Sequence, residues 1–241
     1  MGCAKVSPGC AHCYAEALVT NRMGLTVWGK DGTRKETSEK YWREPIKWNA
    51  AAEDAGTPEL VFCGSLCDVM EDHPIANLVR PRLFELIKKT PWLTWQLLTK
   101  RPENFERFLP AGWYDLPWPN VWLGTSIENP EFLWRADVLR KIPAFSHFIS
   151  AEPLLASIIE IDLSNIQWLI VGGESGKGYR PMAPGWAVEL RDKCKGNGVP
   201  FFYKQSAAIK PGSNDLLEGK EYKEFPFIWQ PGQQEKLCFT L

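Results

Sequence analysis

Val121-Trp122-Leu123-Gly124-Thr125-Ser126-Ile127-Glu128 reads as a short apolar strand, Val121 to Leu123, that runs out into the polar and charged residues Ser126 and Glu128. The same form recurs along the chain. Leu60-Val61-Phe62 is closed by Asp68, and Trp92 to Leu98 by Thr99-Lys100-Arg101. His147-Phe148-Ile149 is closed by Glu152, Trp168 to Val171 by Glu174, and Val199 to Tyr203 by Lys204-Gln205. Each run has strand length and is bounded by turn or polar residues. Between them lie apolar residues at helical spacing: Val79, Leu83 and Ile87 within 76–89, Leu133, Ala136 and Leu139 within 130–141, and Ala187, Leu190 and Cys194 within 186–195. Pro102-Glu103-Asn104 opens a shorter helix with an acidic first turn. Strand and helix in alternation predict βαβ units and a parallel sheet covered by helices. In parallel α/β sheets and barrels the C-terminal strand ends face the ligand. Six strands ending in polar groups therefore predict one polar basin.

The rest of the chain bounds the answer. Its 241 residues, 44% of them apolar, suffice for one large domain with a sizeable core, and most of the twelve tryptophans are expected there or on a pocket wall. A formal net charge of -1 supplies no global basic field for nucleic acid. No apolar run approaches about 18 residues, so no membrane span is expected. Met1-Gly2-Cys3-Ala4-Lys5 lacks the apolar core of a secretory signal, and Val6 stands where myristoylation needs Ser or Thr, so a cytoplasmic location is expected. Residues 24–57 break the alternation. They are turn-rich at Gly29-Lys30-Asp31-Gly32, then carry Tyr41, Trp42, Ile46 and Trp48, and read as an insertion lying over the domain. Interleaved Lys, Arg and aromatic residues make nucleic acid a candidate partner there, while Asp31, Glu36, Glu39 and Glu44 weigh against it. The expected plan is one domain over 1–241: a cysteine-motif loop and helix at 1–23, the insertion at 24–57, a β/α core at 58–209 and a peripheral tail at 210–241.

Seven cysteines without a secretory signal read as reduced thiols. The sharpest chemical pattern is Cys3, Cys10 and Cys13, spaced C-x6-C-x2-C. Pro8-Gly9 provides a turn that folds Cys3 back. Cys10 and Cys13 straddle a predicted helix start, where amide dipoles favour thiolates. Three thiolates on one short loop suit a soft metal. Two metals remain open. Structural zinc wants four protein ligands, with His12 awkwardly placed beside Cys13 and Cys63 or Cys67 as further candidates. A [4Fe-4S] cluster on three cysteines leaves one iron open for a small ligand. Cys63 and Cys67 are expected on one face of one strand, Cys194 in the core and Cys238 in the tail. His73 is expected to start a helix and His147 to lie at a strand edge.

These motifs together resemble the phage protein Gp37/Gp68 family (DUF5131). The matching segments include Gly2-Cys3 to Glu16, Gly64-Ser65-Leu66-Cys67-Asp68, Leu97-Leu98-Thr99-Lys100-Arg101-Pro102, Trp122 to Asn129, Ser150-Ala151-Glu152-Pro153-Leu154-Leu155, Val171-Gly172-Gly173-Glu174-Ser175-Gly176, Arg180-Pro181-Met182 and Phe201 to Gln205. That family is similar in turn to radical S-adenosylmethionine enzymes. The resemblance implies a partial (β/α)6 TIM-like barrel of parallel strands. It implies a [4Fe-4S] cluster on Cys3, Cys10 and Cys13, with S-adenosylmethionine cleaved to a 5′-deoxyadenosyl radical that abstracts hydrogen. Glu128, Glu152, Gly172, Gly173 and Glu174 become candidates for binding cofactor or substrate, and Lys100 and Arg101 for holding an anionic group. The substrate implied is a nucleic acid, nucleotide or protein, and a separately encoded three-Cys-motif partner protein is an implied companion. Relatives usually carry a short strand before the first cysteine. Here Met1 lies two residues before Cys3, so that strand is expected to be missing. The alternative from the residues alone is a zinc-stabilised nucleic-acid- or protein-binding module without catalysis.

Overall fold

All six apolar runs are strands in the computed structural model, which describes residues 1–232. They are β1 (Glu59–Cys63), β2 (Leu93–Thr99), β3 (Val121–Ser126), β4 (Ser146–Ala151), β5 (Trp168–Gly172) and β6 (Phe201–Gln205). Each pairs in parallel with the next, in the order β1-β2-β3-β4-β5-β6. Spatial order follows chain order without reversal, so every right-handed crossover returns on the same face of the sheet. A doubly wound sheet reverses at a switch point and takes helices on both faces. This sheet instead curls into a half-barrel, and β1 and β6 do not pair. The expectation of an α/β partial TIM-like barrel is borne out.

Side-chain parity shows the curl. Odd-numbered strand residues face outward. Leu93, Trp95, Leu97, Val121, Leu123, Ile149, Leu169, Val171 and Phe201 share one core with Leu83, Phe84 and Ile87 of α3 (Pro74–Lys88), Phe105 of α4 (Phe105–Phe108), Ala136 and Leu139 of α5 (Trp134–Leu139), and Ala187, Leu190 and Cys194 of α6 (Pro184–Asn197). Even-numbered residues line the concave face. There Trp122, Phe148, Trp168 and Ile170 form a second cluster with Leu60, Leu98 and Phe202. These rings occupy the N-terminal half of the concave face. The C-terminal half carries Gly124, Ser150 and Gly172, with Glu152 and Lys204 beyond them.

The stretch expected to be a peripheral tail closes the aromatic end. Lys223 pairs with Phe202 in an antiparallel bridge, and the Phe225 ring centroid lies 5.2 Å from Trp168. The Trp168 indole N–H donates to the Glu224 carbonyl, and Ile228 packs on the same cluster. Cys238 lies outside the described residues. No helix among the described residues is long and apolar enough to cross a membrane.

The insertion contains a helix that its sequence does not advertise, α2 (Glu39–Ala55), because Pro45 lies inside it. Ser38 Oγ caps its start, and Gly56 at φ 63° ends it. Its Trp42 packs on the outer core, where Arg82 of α3 stacks on the ring at 4.6 Å and pairs with Glu36 and Glu39. One local expectation fails. Cys63 ends β1, but Cys67 is not in that strand. A turn closed by the Cys67 N–H on the Gly64 carbonyl intervenes, with Gly64 at φ 82°. Cys67 then pairs with Gly2 in a single parallel bridge.

Candidate functional site

The cysteine loop lies across the C-terminal ends of the strands and is tied to four of the loops that follow them. The Ala4 N–H donates to Glu71 Oε1 at 2.8 Å, in the loop after β1. Arg101, just past β2, donates to the Ala4 carbonyl at 2.8 Å. Ser7 Oγ donates to Glu128 Oε1 at 2.5 Å, just past β3. His12 Nδ1 lies 3.0 Å from Glu174 Oε2, just past β5. Both ends of the loop are held by the turn after β1: the Gly2 N–H donates to the Leu66 carbonyl and the Tyr14 hydroxyl to the Ser65 carbonyl. Gly9 sets the closest approach, since a Cβ there would come 2.5 Å from Cγ and Oε1 of Glu128.

One thiol contacts a cation directly, and the other two have cations within electrostatic reach. Arg101 Nη1 donates to Cys3 Sγ at 3.7 Å. Arg135 is within electrostatic reach of Cys10, and Lys100 of Cys13. Cys10 Sγ also lies 3.7 Å from Ser7 Oγ. Cys13 is the N-cap of the short helix α1 (Tyr14–Ala17), at the end where the backbone N–H groups of Ala15 and Glu16 favour a thiolate without a side-chain capping hydrogen bond. Burial and the Asp68 carboxylate push the Cys3 thiol up to about 12, against the pull of Arg101. Burial also raises Cys13, opposed by those two N–H groups. Without a metal these two thiols hold their protons at neutral pH, and a metal must displace them. Among the described residues, no three His, Cys, Asp or Glu side chains are grouped so as to hold a metal ion.

Beneath the loop, buried carboxylates and cations alternate. Glu128 is fully buried and faces two cations, Arg135 Nη1 at 2.9 Å and Lys100 Nζ at 3.3 Å. Glu71 binds Arg34 through both carboxylate oxygens, at 2.6 and 2.8 Å, and Arg101 at 3.4 Å. Burial pushes Glu71 up, but Arg34, the Ala4 N–H and Arg101 outweigh it and hold the carboxyl below its ordinary value. Burial works against the Arg101 charge, but Asp68, Cys3 and Glu71 raise it overall. Arg34 belongs to the insertion, and its guanidinium also donates to the carbonyls of Val27, Gly29, Gly32 and Thr33. The insertion is fastened to the cysteine loop through this carboxylate and through backbone hydrogen bonds from the Gly29 N–H to the Cys3 carbonyl and from the Lys35 N–H to the Met1 carbonyl.

The polar residues picked out in the sequence all fall at the mouth of the half-barrel, with different neighbours. Lys100, Arg101, Glu128 and Glu174 meet the cysteine loop. Glu152 pairs instead with Lys204 Nζ at 2.8 Å and Ser150 Oγ at 3.1 Å, on the concave wall. Gly172 makes that pair accessible, because a Cβ there would lie 2.7 Å from Glu152 Oε2. Gly173 packs on the backbone of Ser206 and Ala207. Glu174 accepts from both the backbone and the side chain of Arg180. His12 therefore orients the loop through Glu174. His73 caps α3 as expected, and His147 is buried between the carbonyls of Ile142 and Asn165.

Sequence reasoning missed Glu71, Arg34, Ser7 and Arg135. Only Arg135 carried a signal, as an arginine beside Ala136 on the apolar side of its helix. A family model described as "Protein of unknown function (DUF5131)" matches residues 1–226. No curated protein and no solved structure matches the chain.

Proposed function

The chain belongs to the DUF5131 family, and from that premise and the geometry of its cysteine loop we propose that it is an iron–sulfur, S-adenosylmethionine-dependent radical enzyme related to the phage Gp37/Gp68 proteins. The observation that carries the reading is three thiols on one pinned loop over the mouth of a parallel half-barrel, with Arg101 in contact with Cys3 and with Lys100 and Arg135 pairing with the Glu128 carboxylate beneath the loop. The donor set suits the group in its chemistry, though the three side chains are not gathered as they stand. Three soft sulfurs with no carboxylate among them suit iron–sulfur chemistry. Arg101, Arg135 and Lys100 offset the negative charge that three thiolates bring. Cys3, Cys10 and Cys13 would hold the cluster, by side-chain rotation on a backbone that Glu71, Glu128 and Glu174 hold still. When bound, such a cluster supplies one electron to S-adenosylmethionine and so starts hydrogen abstraction.

The remaining roles fall to the chain's own residues. Glu152 and Lys204 offer an acceptor and a donor side by side on the concave wall, suited to the amino and carboxylate ends of a cofactor. Glu128 orients Ser7 beside Cys10. The aromatic half of the barrel and residues 224–228 exclude water from below, which radical chemistry requires.

The test is reconstitution with iron and sulfide without oxygen, followed by metal analysis and absorbance at about 400 nm. A brown protein that cleaves S-adenosylmethionine on reduction, with both properties lost in Cys10→Ala, is the expected result. A colourless protein with about one zinc per chain would replace this reading with a zinc-stabilised binding module.

A further inference from the structure

A cavity of about 390 Å³ opens on the outer side of the cysteine loop, against Ala4 and Val6. It is large enough for a small ligand, and its lining holds both aromatic and cationic side chains. The Arg135 guanidinium covers the Phe132 ring at 4.2 Å and lies 5.8 Å from the Trp134 ring centroid, and Trp134 is 43% exposed. Lys30 comes from the insertion and makes no hydrogen bond or ion pair among the described residues. Lys100 and Arg135 share the single buried carboxylate of Glu128, and Glu103 at the rim also acts on Arg135. Arg135 is 1% exposed, and its Nε has no hydrogen-bond partner. Two lining carboxylates are already engaged, Glu71 by Arg34 and Asp72 by Arg107. Glu103 is the third and weakens the positive field at the rim.

A ligand that matches both the exposed indole and the lysines joins a flat ring to a phosphate. We propose that this cavity binds a nucleotide, with its base on Trp134 and its phosphate between Lys30 and Lys100. The ring gains by stacking, and the phosphate gives Lys30 the counterion it lacks among the described residues. As a substrate class for the loop beside it, the nucleotide rests on the proposed function; as a binding site it does not. The same chemistry is offered by a free nucleotide or by one residue of a single strand.

Calorimetric titration of the full chain, freed of metal, with AMP and with a deoxyadenosine oligonucleotide tests the assignment. Binding should weaken by about tenfold in Trp134→Ala and comparably in Lys30→Glu, a substitution at an exposed position that leaves the core untouched. Similar affinity for both probes identifies a free nucleotide, and much tighter binding of the oligonucleotide identifies a strand. Absence of binding by either probe at millimolar concentration, or binding indifferent to both substitutions, overturns the proposal. Because the titration is run without metal, its outcome is independent of the reconstitution: a chain that ignores AMP refutes this site alone, and one that binds AMP but stays colourless after reconstitution refutes only the radical chemistry.

Discussion

Replacing Glu128 by glutamine keeps the shape of the side chain and removes its charge at the most buried carboxylate under the cysteine loop. Glu128 is fully buried and Arg135 is 1% exposed, so water cannot take over the pairing. After Glu128→Gln, Arg135 retains the Ser126 carbonyl at 2.9 Å and the Phe132 ring, with no carboxylate. Breaking a buried pair from one side costs about 3–5 kcal/mol. Lys100 is less enclosed and can turn toward solvent, which places the expected loss near the lower limit, about 3 kcal/mol. For a chain of this length that corresponds to a fall in Tm of roughly 6–12 °C. Urea denaturation should show a lower midpoint with an unchanged m value. The double variant Glu128→Gln/Arg135→Met removes both charges and should regain at least half of the loss, because the penalty belongs to the stranded guanidinium. A single variant within about 1 kcal/mol of the parent, or a cycle in which the two changes simply add, would refute the argument that this pair supports the loop.

Two further outcomes follow from the same geometry. Gly9→Ala places a methyl group 2.5 Å from a carboxylate that Arg135, Lys100 and Ser7 hold in place. It should cost about 2 kcal/mol by overpacking and raise the reactivity of Cys10 toward a thiol reagent; unchanged reactivity would show that the loop does not rest on Glu128. Glu71 is held below its ordinary value, so its contribution is complete above the unfolded carboxyl value of about 4.3 and is lost as pH falls through the lower folded value. Glu71→Gln should therefore be less stable at neutral pH and lose less than the parent between about pH 5 and pH 3, as read by urea midpoints; parallel pH profiles would contradict that assignment.

Much of the mouth was legible because strands announce their ends. Asp68, Lys100, Arg101, Glu128, Glu152 and Glu174 could each be located by the apolar run before them, and all lie where such ends converge. Glu71 and Arg34 could not. They sit in loops with no periodicity, and their importance comes from meeting each other across 37 positions of chain. The helix α2 stayed hidden because Pro45 argues locally against a conformation that contacts with Trp42 and Asn49 maintain. Cys67 was misplaced because the turn at Gly64 interrupts what reads as one continuous run.

From the chain alone one obtains six parallel strands, the polar composition of their ends and a loop with three thiols, since each depends on neighbours within a few residues. Which thiol meets which cation, how the insertion is fastened, and which carboxylate stands under the loop were decided only by folding. Those are electrostatic contacts between distant segments, and local patterns carry no information about a partner that only the curl of the sheet brings near.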